Sequence, residues 1–285
     1  MKPRNDPAVA PFHLRFWGVR VSIPTPAPDH LGIGGNTPCM QILSETGIPD
    51  PCTDLLIFDA GTGIRALGAE IAACPLAPTA IHIFFTHFHW DHLQGLPYFL
   101  PLYSPATNLV FHSAHPPERL RAVLAAQMQA PYFPLLFDDV TAHMEFCQIG
   151  AEPQHFCSVS VEAFPLHHPQ GSVGFRIMHP RRTIVYATDH EHGDPASHRG
   201  LIAMSRDADV LIYDAQYTPS EYKSRRGWGH STWLEATRVA KQAGAKQLIL
   251  FHHDPDRNDE AVRRIEQEAR AKFPATLAAY EGLLL

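Results

Sequence analysis

Hydrophobic positions along the chain form short apolar runs that alternate with longer amphipathic stretches. Strands are predicted where apolar residues are consecutive or strictly alternate, over 12–23, 37–43, 54–59, 81–85, 158–165, 173–178, 183–188, 209–213 and 247–251. Helices are predicted from the spacing of apolar residues and from start signals, over Ile64–Ala73, 91–96, 117–129, 231–243 and 258–272. This order of elements favours two sheets packed face to face with helices on their outer sides.

The organisation of the chain is that of a single unit. No short-period repeat and no linker rich in glycine and serine interrupts it, so residues 1–285 are predicted to form one domain. Residues 130–140 (APYFPLLFDDV) are rich in aromatic residues and proline, and regular structure is not expected there. A lid over a site, or the contact between two copies in a homodimer, would suit this segment.

Composition narrows the class of protein. With 285 residues, 45% of them hydrophobic, the chain can bury a large core. No apolar stretch reaches the roughly 18 residues of a membrane span, and the first residues lack the apolar run of a secretion signal, so a cytoplasmic protein with no membrane partner is expected. The formal net charge of −6, without a block of lysines and arginines, argues against long nucleic acid and favours a small-molecule substrate.

The five cysteines, at positions 39, 52, 74, 147 and 157, are widely spaced and form no CxxC pair. This spacing argues against both a disulfide framework and a structural zinc knuckle. Buried, reduced thiols are expected instead.

Nineteen histidines are spread along the chain without forming a tract. The densest group lies in Thr86-His87-Phe88-His89-Trp90-Asp91-His92, directly after an apolar strand. Imidazole and carboxylate are ordinary ligands of zinc, and also of manganese and iron. In an extended turn His87 and His89 would face the same side and share one ion, whereas Asp91 and His92 would diverge toward a second. A polar loop that caps a helix is the alternative, but four ligand-type side chains within six residues favour the metal site.

Three further ligand candidates follow apolar strands of the second half: His168 after VEAFPL, Asp189 after IVYAT and His252 after QLILF. Because sites assemble at strand ends on one side of a sheet, these complete a set of seven ligands for two divalent ions, with Asp189 and a water or hydroxide as bridges. Zinc is expected, and manganese or iron would also fit. The adjacent His167 and His253 are alternatives for the same role. Surface or packing roles are predicted for His82, His112, His115, His143, His155, His190, His192 and His198.

The HxHxDH motif at 87–92, followed by Gly95, resembles the signature of the metallo-β-lactamase superfamily. The resemblance covers nearly the whole chain, because Asp59-Ala-Gly-Thr-Gly upstream and the three later candidates downstream fall where that family's remaining motifs would. It implies an α/β fold, the four-layer αββα sandwich, with a binuclear metal site.

Two later segments resemble the phosphodiesterase branch of that superfamily, which contains RNase Z and small-molecule cyclic phosphodiesterases. Leu211-Ile-Tyr-Asp214-Ala-Gln resembles its acidic motif, and Gly229-His230-Ser231-Thr232 resembles its His-Ser-Thr motif. In that branch the histidine contacts the scissile phosphate and the acid supports it. The chain lacks the glycine- and lysine-rich arm with which RNase Z grips tRNA, which argues against a tRNA substrate.

The sequence around His230 points to an anion independently of the family. Ser231 is a suitable N-cap for a helix that begins near Thr232, so the His230 ring would lie at the positive end of that helix. Such a position suits an anionic group.

These features predict a binuclear metal-dependent hydrolase, most specifically a phosphodiesterase that cleaves a small phosphodiester such as a cyclic nucleotide through a metal-bridging hydroxide. The predicted catalytic residues are Asp91, which orients or deprotonates the water, and His230, held by Asp214, which stabilises the developing charge or protonates the leaving oxygen. Hydrolysis of a thioester, lactone or lactam is an alternative in which His230 and Asp214 would not matter. A non-catalytic metal-dependent sensor that uses the aromatic segment near Tyr132 is another, and a redox di-iron role ranks last because no flavin domain is attached.

Overall fold

The computed structural model describes residues 12–43, 54–74, 78 and 80–285 of the chain, and its strands form two sheets. The strands of the first sheet are β1 (His13–Gly18), β2 (Cys39–Leu43), β3 (Leu55–Phe58), β4 (Ile81–Phe84), β5 (Asn108–Ser113) and β6 (His143–Gln148). The strands of the second sheet are β7 (Gln154–Phe156), β8 (Val159–Leu166), β9 (Ser172–His179), β10 (Arg182–Ala187), β11 (Val210–Asp214), β12 (Leu248–Phe251) and β13 (Thr276–Ala278). The helices are α1 (Ile64–Ala73), α2 (Pro117–Gln127), α3 (Pro195–Met204), α4 (Pro219–Tyr222), α5 (Trp233–Ala243) and α6 (Asp259–Arg270).

Each sheet combines an antiparallel and a parallel part. In the first sheet, β1, β2 and β3 pair antiparallel, while β3 to β6 pair parallel in chain order. In the second sheet, β7 to β10 pair antiparallel, and β10 to β13 pair parallel. The parallel strands therefore place their carboxyl ends along one edge of each sheet.

Apolar side chains hold the two sheets together and attach the helices. Between the sheets, the Phe58 ring of the first sheet lies 5.4 Å from the Phe175 ring and 6.2 Å from the Tyr186 ring of the second. The outer face of the first sheet packs on α1 and α2, and the outer face of the second sheet packs on α3, α5 and α6. The protein is a four-layer αββα sandwich, as predicted.

The outer helices show why the local sequence folds as it does. In α6, the Asn258 side chain accepts a hydrogen bond from the N–H of Ala261 and so caps the first turn. Val262, Ile265 and Ala269 are buried in the same helix, at the spacing of one helical face. Burial of this single stripe fixes the helix against the second sheet.

The helix predicted over 91–96 is wrong, because the chain forms two short 3-10 turns there, over Trp90–His92 and Leu96–Tyr98. Tertiary hydrogen bonds replace the helical ones. The N–H of Ala60 donates to the carbonyl of His92 at 2.7 Å, and the N–H of Gly95 donates to the carbonyl of Ala60 at 3.0 Å. The turn after β3 thus occupies the carbonyl of His92 and the N–H of Gly95, two groups that a helix over 91–96 would use for its own hydrogen bonds.

The sequence pattern does not predict β5, β6, β7, β13, α3 or α4. Most of these elements lack a continuous apolar signal. The strand β6, for example, lies at the edge of its sheet and has no fully buried residue, and α3 buries only Leu201. The start of α3 nevertheless carries a readable signal, since Asp194 caps the N–H of Ser197 and is followed by proline.

The described cysteines are free thiols, but their burial differs from the prediction. Cys39 is buried, Cys74 and Cys147 are half-buried, and Cys157 is exposed, so the prediction of burial is wrong for Cys157. Cys52 lies outside the described residues. In the part of the chain that the structure describes, every helix falls short of the length and apolar character that a membrane span requires.

Candidate active site

Side chains from both sheets meet at the edge where the parallel strands end. Residues 87–92 follow β4, His168 follows β8, Asp189 follows β10, Asp214 ends β11 and His252 follows β12. The strand β8 runs in the same direction as β10, since both pair antiparallel with β9. The fold therefore brings all seven predicted ligands into one cluster.

The cluster contains a first group of three imidazoles. One ring nitrogen from each of His87, His89 and His168 lies within 4.8 Å of the others. Nδ1 of His89 is 3.1 Å from Nε2 of His168. The three ring nitrogens thus converge on one small volume, as the ligand atoms of one metal ion do.

A second group joins one carboxylate and two imidazoles. Oδ2 of Asp91 lies 3.5 Å from Nε2 of His92 and 3.3 Å from Nε2 of His252. The N–H of Ser22 also donates to this carboxylate oxygen at 2.8 Å, which fixes its orientation. Asp91 and His92 thus form one group with His252, and His92 also lies near His87 and Asp189.

Asp189 lies between the two groups and turns one oxygen to each. Its Oδ1 is 3.7 Å from Nε2 of His87 and 3.7 Å from Nε2 of His168, both in the first group. Its Oδ2 is 3.2 Å from Nε2 of His92 and 3.6 Å from Nε2 of His252, both in the second. A carboxylate in this position suits a bridge between two cations.

Three of the residues at the strand ends have a strained backbone. The φ angles of Asp59, Asp189 and His252 are 61°, 56° and 65°, in the left-handed region that residues other than glycine rarely adopt. Each such residue costs on the order of 1–3 kcal/mol. The left-handed conformation turns the chain sharply after the strand, which keeps these side chains at the edge of the sheets.

Neighbouring groups orient the imidazoles. Asp59 Oδ2 lies 2.9 Å from Nδ1 of His92, and the same carboxylate accepts hydrogen bonds from the backbone N–H and the hydroxyl of Thr86. Nδ1 of His168 donates to the carbonyl of Gly229 at 2.8 Å. These bonds leave the Nε2 atoms of both histidines directed into the cluster.

Carboxylates and imidazoles in the cluster stabilise one another's charged forms. Burial disfavours the charged form of His252, but the carboxylates of Asp189, Asp214 and Asp91 outweigh it and raise the His252 pKa to about 10. Burial likewise opposes ionisation of Asp91, yet the imidazoles of His92 and His252 hold the Asp91 pKa well below its usual range. The carboxylates are thus ionised at neutral pH and favour cations in the cluster.

Unpaired nitrogen atoms show that the cluster fits metal ions. Within the described residues, the Nε2 atoms of His87, His92 and His252 are buried and have no hydrogen-bond partner. An unsatisfied buried polar atom costs about 1–3 kcal/mol. Because these atoms point at one another and at carboxylates, a cation bound among them would satisfy all three.

A histidine and an aspartate adjoin the cluster and pair with each other. Nδ1 of His230 lies 2.8 Å from Oδ2 of Asp214. The Asp214 carboxylate is fully buried. Burial raises the pKa of a carboxyl, but His230 and His252 reverse that effect and lower the pKa of Asp214 well below its usual range. Ionised Asp214 therefore accepts the Nδ1 proton of His230, which turns Nε2 of that ring away from the carboxylate.

The structure distinguishes the two pairs of adjacent histidines. His168 and His252 lie in the cluster, whereas Nδ1 of His167 contacts the carbonyl of Glu191 at 3.0 Å. Nε2 of His253 contacts the carbonyl of Ala279 at 2.9 Å, and burial, followed by the charge of Arg20, lowers the His253 pKa to about 3. The choice of His168 and His252 agrees with this geometry.

One prediction about the surroundings of the cluster needs correction. The cap of α5 is Thr232, whose side chain accepts from the N–H of Glu235, and not Ser231. The Ser231 hydroxyl instead contacts Nδ1 of His192 at 2.8 Å. His192 therefore contacts the residue that follows His230, and Nδ1 of His190 accepts a hydrogen bond from the N–H of His167 at 3.2 Å.

Sequence reasoning missed two supporting carboxylates. Asp59 was recognised only as the first residue of the motif Asp59-Ala-Gly-Thr-Gly, with no role for its side chain, although it follows β3 at the same strand edge as the ligands and that position is a readable signal. Glu191 was not predicted at all, and its carboxylate accepts hydrogen bonds from the N–H groups of Gly227 and Gly229 at 2.7 and 2.8 Å. Its partners lie far away in the sequence, so no local pattern identifies it.

Comparison with known proteins places this site in a family. The profile of the beta-lactamase superfamily domain matches residues 55–253. Ribonuclease Z of Geobacillus kaustophilus (strain HTA426) is 26% identical over 306 residues, covering 88% of this chain and 95% of that protein. Among solved structures, the metallo-beta-lactamase fold protein YhfI from Bacillus subtilis superposes with a TM-score of 0.71 at 18% identity, covering 97% of this chain and 99% of the other. A diphosphatase from the PhnP family superposes with a TM-score of 0.69 at 20% identity, covering 96% and 97%. The match over residues 55–253 includes the whole cluster, and the chain therefore belongs to the metallo-β-lactamase superfamily.

Proposed function

We propose that the protein is a binuclear metal-dependent phosphodiesterase that acts on a small phosphodiester such as a cyclic nucleotide. One observation carries the proposal. The His230 ring lies 5.2 Å from the ring of His168 and 5.3 Å from that of His252, one member of each ligand group. A phosphate held across both groups would thus meet an imidazole whose Nδ1 is already engaged by Asp214.

Seven residues would hold the two ions in this proposal. His87, His89 and His168 would hold the first ion, Asp91, His92 and His252 would hold the second, and Asp189 could serve both. The donor set of imidazoles and carboxylates suits zinc, and it also suits manganese or iron. Metal ions in such a site lower the pKa of a water molecule and offset negative charge on phosphate oxygens.

The residues of the chain supply orientation and proton transfer. Asp91, fixed by the N–H of Ser22, orients the attacking water or accepts its proton. His230 donates Nδ1–H to Asp214 and presents Nε2 to the phosphate, where it stabilises charge or protonates the leaving oxygen. The buried, ionised Asp214 stabilises the imidazolium form of His230. A general acid in this position contributes roughly 10²–10⁴-fold to the rate.

The similarity to ribonuclease Z supports a phosphodiester as the bond that is cleaved. The net charge of −6 supports a small substrate rather than a long nucleic acid, because a protein that neutralises many phosphates needs clustered lysines and arginines. The proposed substrate is therefore a small molecule that contains one scissile phosphodiester.

Metal content and hydrolysis of bis(p-nitrophenyl) phosphate test the proposal. Wild type, His230→Ala and the control His155→Ala, which changes an exposed histidine of β7, are loaded with zinc or with manganese. We expect about two ions per chain in all three proteins, with turnover lost by roughly 10²–10⁴-fold only in His230→Ala.

Two results would contradict the proposal. If no protein hydrolyses the diester despite full metal content, a carbonyl substrate such as a thioester, or a sensor role, becomes the better interpretation. If His230→Ala hydrolyses the diester as fast as the wild type, the pair of His230 and Asp214 has no part in the reaction.

A further inference from the structure

A short loop with the sequence Arg225-Arg-Gly-Trp-Gly leads directly into His230. Its two glycines have φ angles of 84° at Gly227 and 90° at Gly229, in the left-handed region. A Cβ atom at Gly229 would lie 2.3 Å from Nδ1 of His168, so this position has no room for a side chain. The loop therefore lies tightly against the candidate active site.

The carboxylate of Glu191 holds the backbone of this loop in place. It accepts hydrogen bonds from the N–H groups of Gly227 and Gly229 on either side of Trp228, and from the hydroxyl of Tyr222. Since both flanking peptide groups are held, the position of Trp228 is set before any ligand arrives. A residue on such an anchored loop loses little backbone entropy on binding.

Trp228 itself is exposed in a way that the fold does not require. Its relative exposure is 61%, while Trp17 and Trp233 are 8% and 6% exposed. The structure shows no ring stacking and no side-chain hydrogen bond for this indole within the described residues. A large unpartnered aromatic ring two residues from His230 is a platform suited to a planar ligand group.

Two arginines, Arg225 and Arg226, precede Trp228 in the same loop. The guanidinium groups of Arg225 and Arg226 lie 5.1 and 5.7 Å from the centres of the Tyr217 and Tyr222 rings, which restrains both of them. An open cleft of about 410 Å³ next to the loop is lined by Arg226, Tyr222, Glu191, His167, His192 and Gly193. The cleft thus lies beside the loop, and its lining includes His167, the sequence neighbour of His168, and Glu191, which anchors Gly229.

We propose that Trp228 is the base-recognition residue of the site, stacking on the nucleobase of a nucleotide whose phosphate lies at the metal cluster, with Arg225 and Arg226 offsetting its negative charge. This inference rests on the proposed function and specifies its substrate class, a phosphodiester that contains a nucleoside. Stacking of a base on an aromatic side chain is sequence-tolerant and contributes a factor of about 5–150 in affinity. The recognised feature is therefore the aromatic base, and the sugar phosphate alone binds more weakly.

Trp90 provides the matched control. It is 64% exposed and follows the ligand His89, so it resembles Trp228 in type, exposure and nearness to the cluster. Its own segment, residues 88–93, contains no arginine or lysine. Substitution of Trp90 consequently removes an exposed indole without touching the loop that carries Trp228.

Binding of adenosine 5′-monophosphate and ribose 5-phosphate to the zinc-loaded protein tests the inference. The proteins are wild type, Trp228→Leu, Trp228→Phe and Trp90→Leu, each with its metal content measured, and binding is followed by tryptophan fluorescence and calorimetry. In wild type and Trp90→Leu, we expect the adenine nucleotide to quench the fluorescence and to bind more tightly than ribose 5-phosphate. In Trp228→Leu, we expect the affinity for the nucleotide to fall by about 5–150-fold with that for ribose 5-phosphate unchanged, and in Trp228→Phe to fall less.

The outcome separates this inference from the proposed function. Equal affinity of wild type and Trp228→Leu for the nucleotide, or a loss in Trp90→Leu instead, overturns the role of Trp228 even if diesters are hydrolysed. Base-dependent binding that requires Trp228, in a protein that hydrolyses no diester, supports the stacking and refutes the phosphodiesterase.

Discussion

Substitution of Asp214 by asparagine is the sharpest perturbation of the proposed proton path. The carboxylate accepts four hydrogen bonds in a fully buried position. Oδ1 accepts from the N–H groups of Gln216 at 3.2 Å and Ser231 at 3.1 Å. Oδ2 accepts from the N–H of Asp189 at 3.1 Å and from Nδ1 of His230 at 2.8 Å. Asparagine has nearly the same shape but offers an oxygen on one side only.

The magnitude follows from the bonds that asparagine cannot make. With its oxygen toward Gln216 and Ser231, its NH₂ group faces the N–H of Asp189, and one orphaned buried donor costs about 1–3 kcal/mol. His230 must then accept at Nδ1 and carry its proton on Nε2, without a carboxylate to stabilise the imidazolium. The free energy of unfolding should fall by about 1–3 kcal/mol and kcat by roughly 10²–10⁴-fold.

The assay combines urea unfolding, metal analysis and steady-state kinetics on the chromogenic diester. Asp209→Asn is the control, because Asp209 directly precedes β11, at the opposite end from Asp214, and accepts a hydrogen bond from the N–H of Thr183 at 2.7 Å. We expect this control to keep its kcat. An Asp214→Asn protein with full metal content and a kcat within about threefold of the wild type would refute the proton path, since the general-acid contribution is at least about 10²-fold.

Three further predictions concern the supporting residues, the metal and pH. Asp59→Asn weakens the bond that orients His92 and should lower metal affinity by about 10–100-fold in a chelator competition; unchanged affinity would contradict the role of Asp59. Removal of metal by a chelator should lower the melting temperature in calorimetry, because an ion whose free concentration is about 100 times its Kd stabilises the fold by about 2.7 kcal/mol. Equal melting temperatures with and without the chelator would show that the cluster does not bind metal ions tightly. Burial lowers the pKa of His112 to about 3, from 6.5 when exposed, so the unfolded state binds more protons between these values and stability is lost as pH falls below 6.5. Wild type should therefore lose about 2 kcal/mol more than His112→Gln between pH 7 and pH 5 in urea unfolding, and identical pH dependence would refute this assignment.

The location of the cluster could be predicted because two kinds of signal are local. Residues 87–92 bring four ligand-type side chains together in one turn, and His168, Asp189 and His252 each follow a recognisable apolar strand. Parallel strands end at a common edge, so strand-end residues meet whatever the details of the loops. The layer order could be predicted for the same reason, since the two halves each alternate strands with amphipathic helices.

The details that could not be predicted depend on contacts between distant parts of the chain. A helix over 91–96 fits the local sequence, but Ala60 takes over the hydrogen bonds of His92 and Gly95. Glu191 and the loop that it anchors at Gly227 are 36 residues apart, and no spacing rule relates them. The edge strand β6 alternates exposed and half-buried residues along most of its length, so its sequence shows no continuous apolar pattern.

The strained strand ends explain why the site depends on the sheets rather than on its own local sequence. Asp59, Asp189 and His252 all have positive φ angles, and each conformation is unfavourable by on the order of 1–3 kcal/mol. The strands that precede them, β3, β10 and β12, each pair with a strand on both sides, at least one of which is parallel, and they are buried between the layers. The free energy of that burial sustains the strain, because releasing one residue would require a buried strand to shift. The ligand geometry is consequently a property of the αββα core, and this is why the sequence motifs mark where the site lies without specifying how its side chains are aimed.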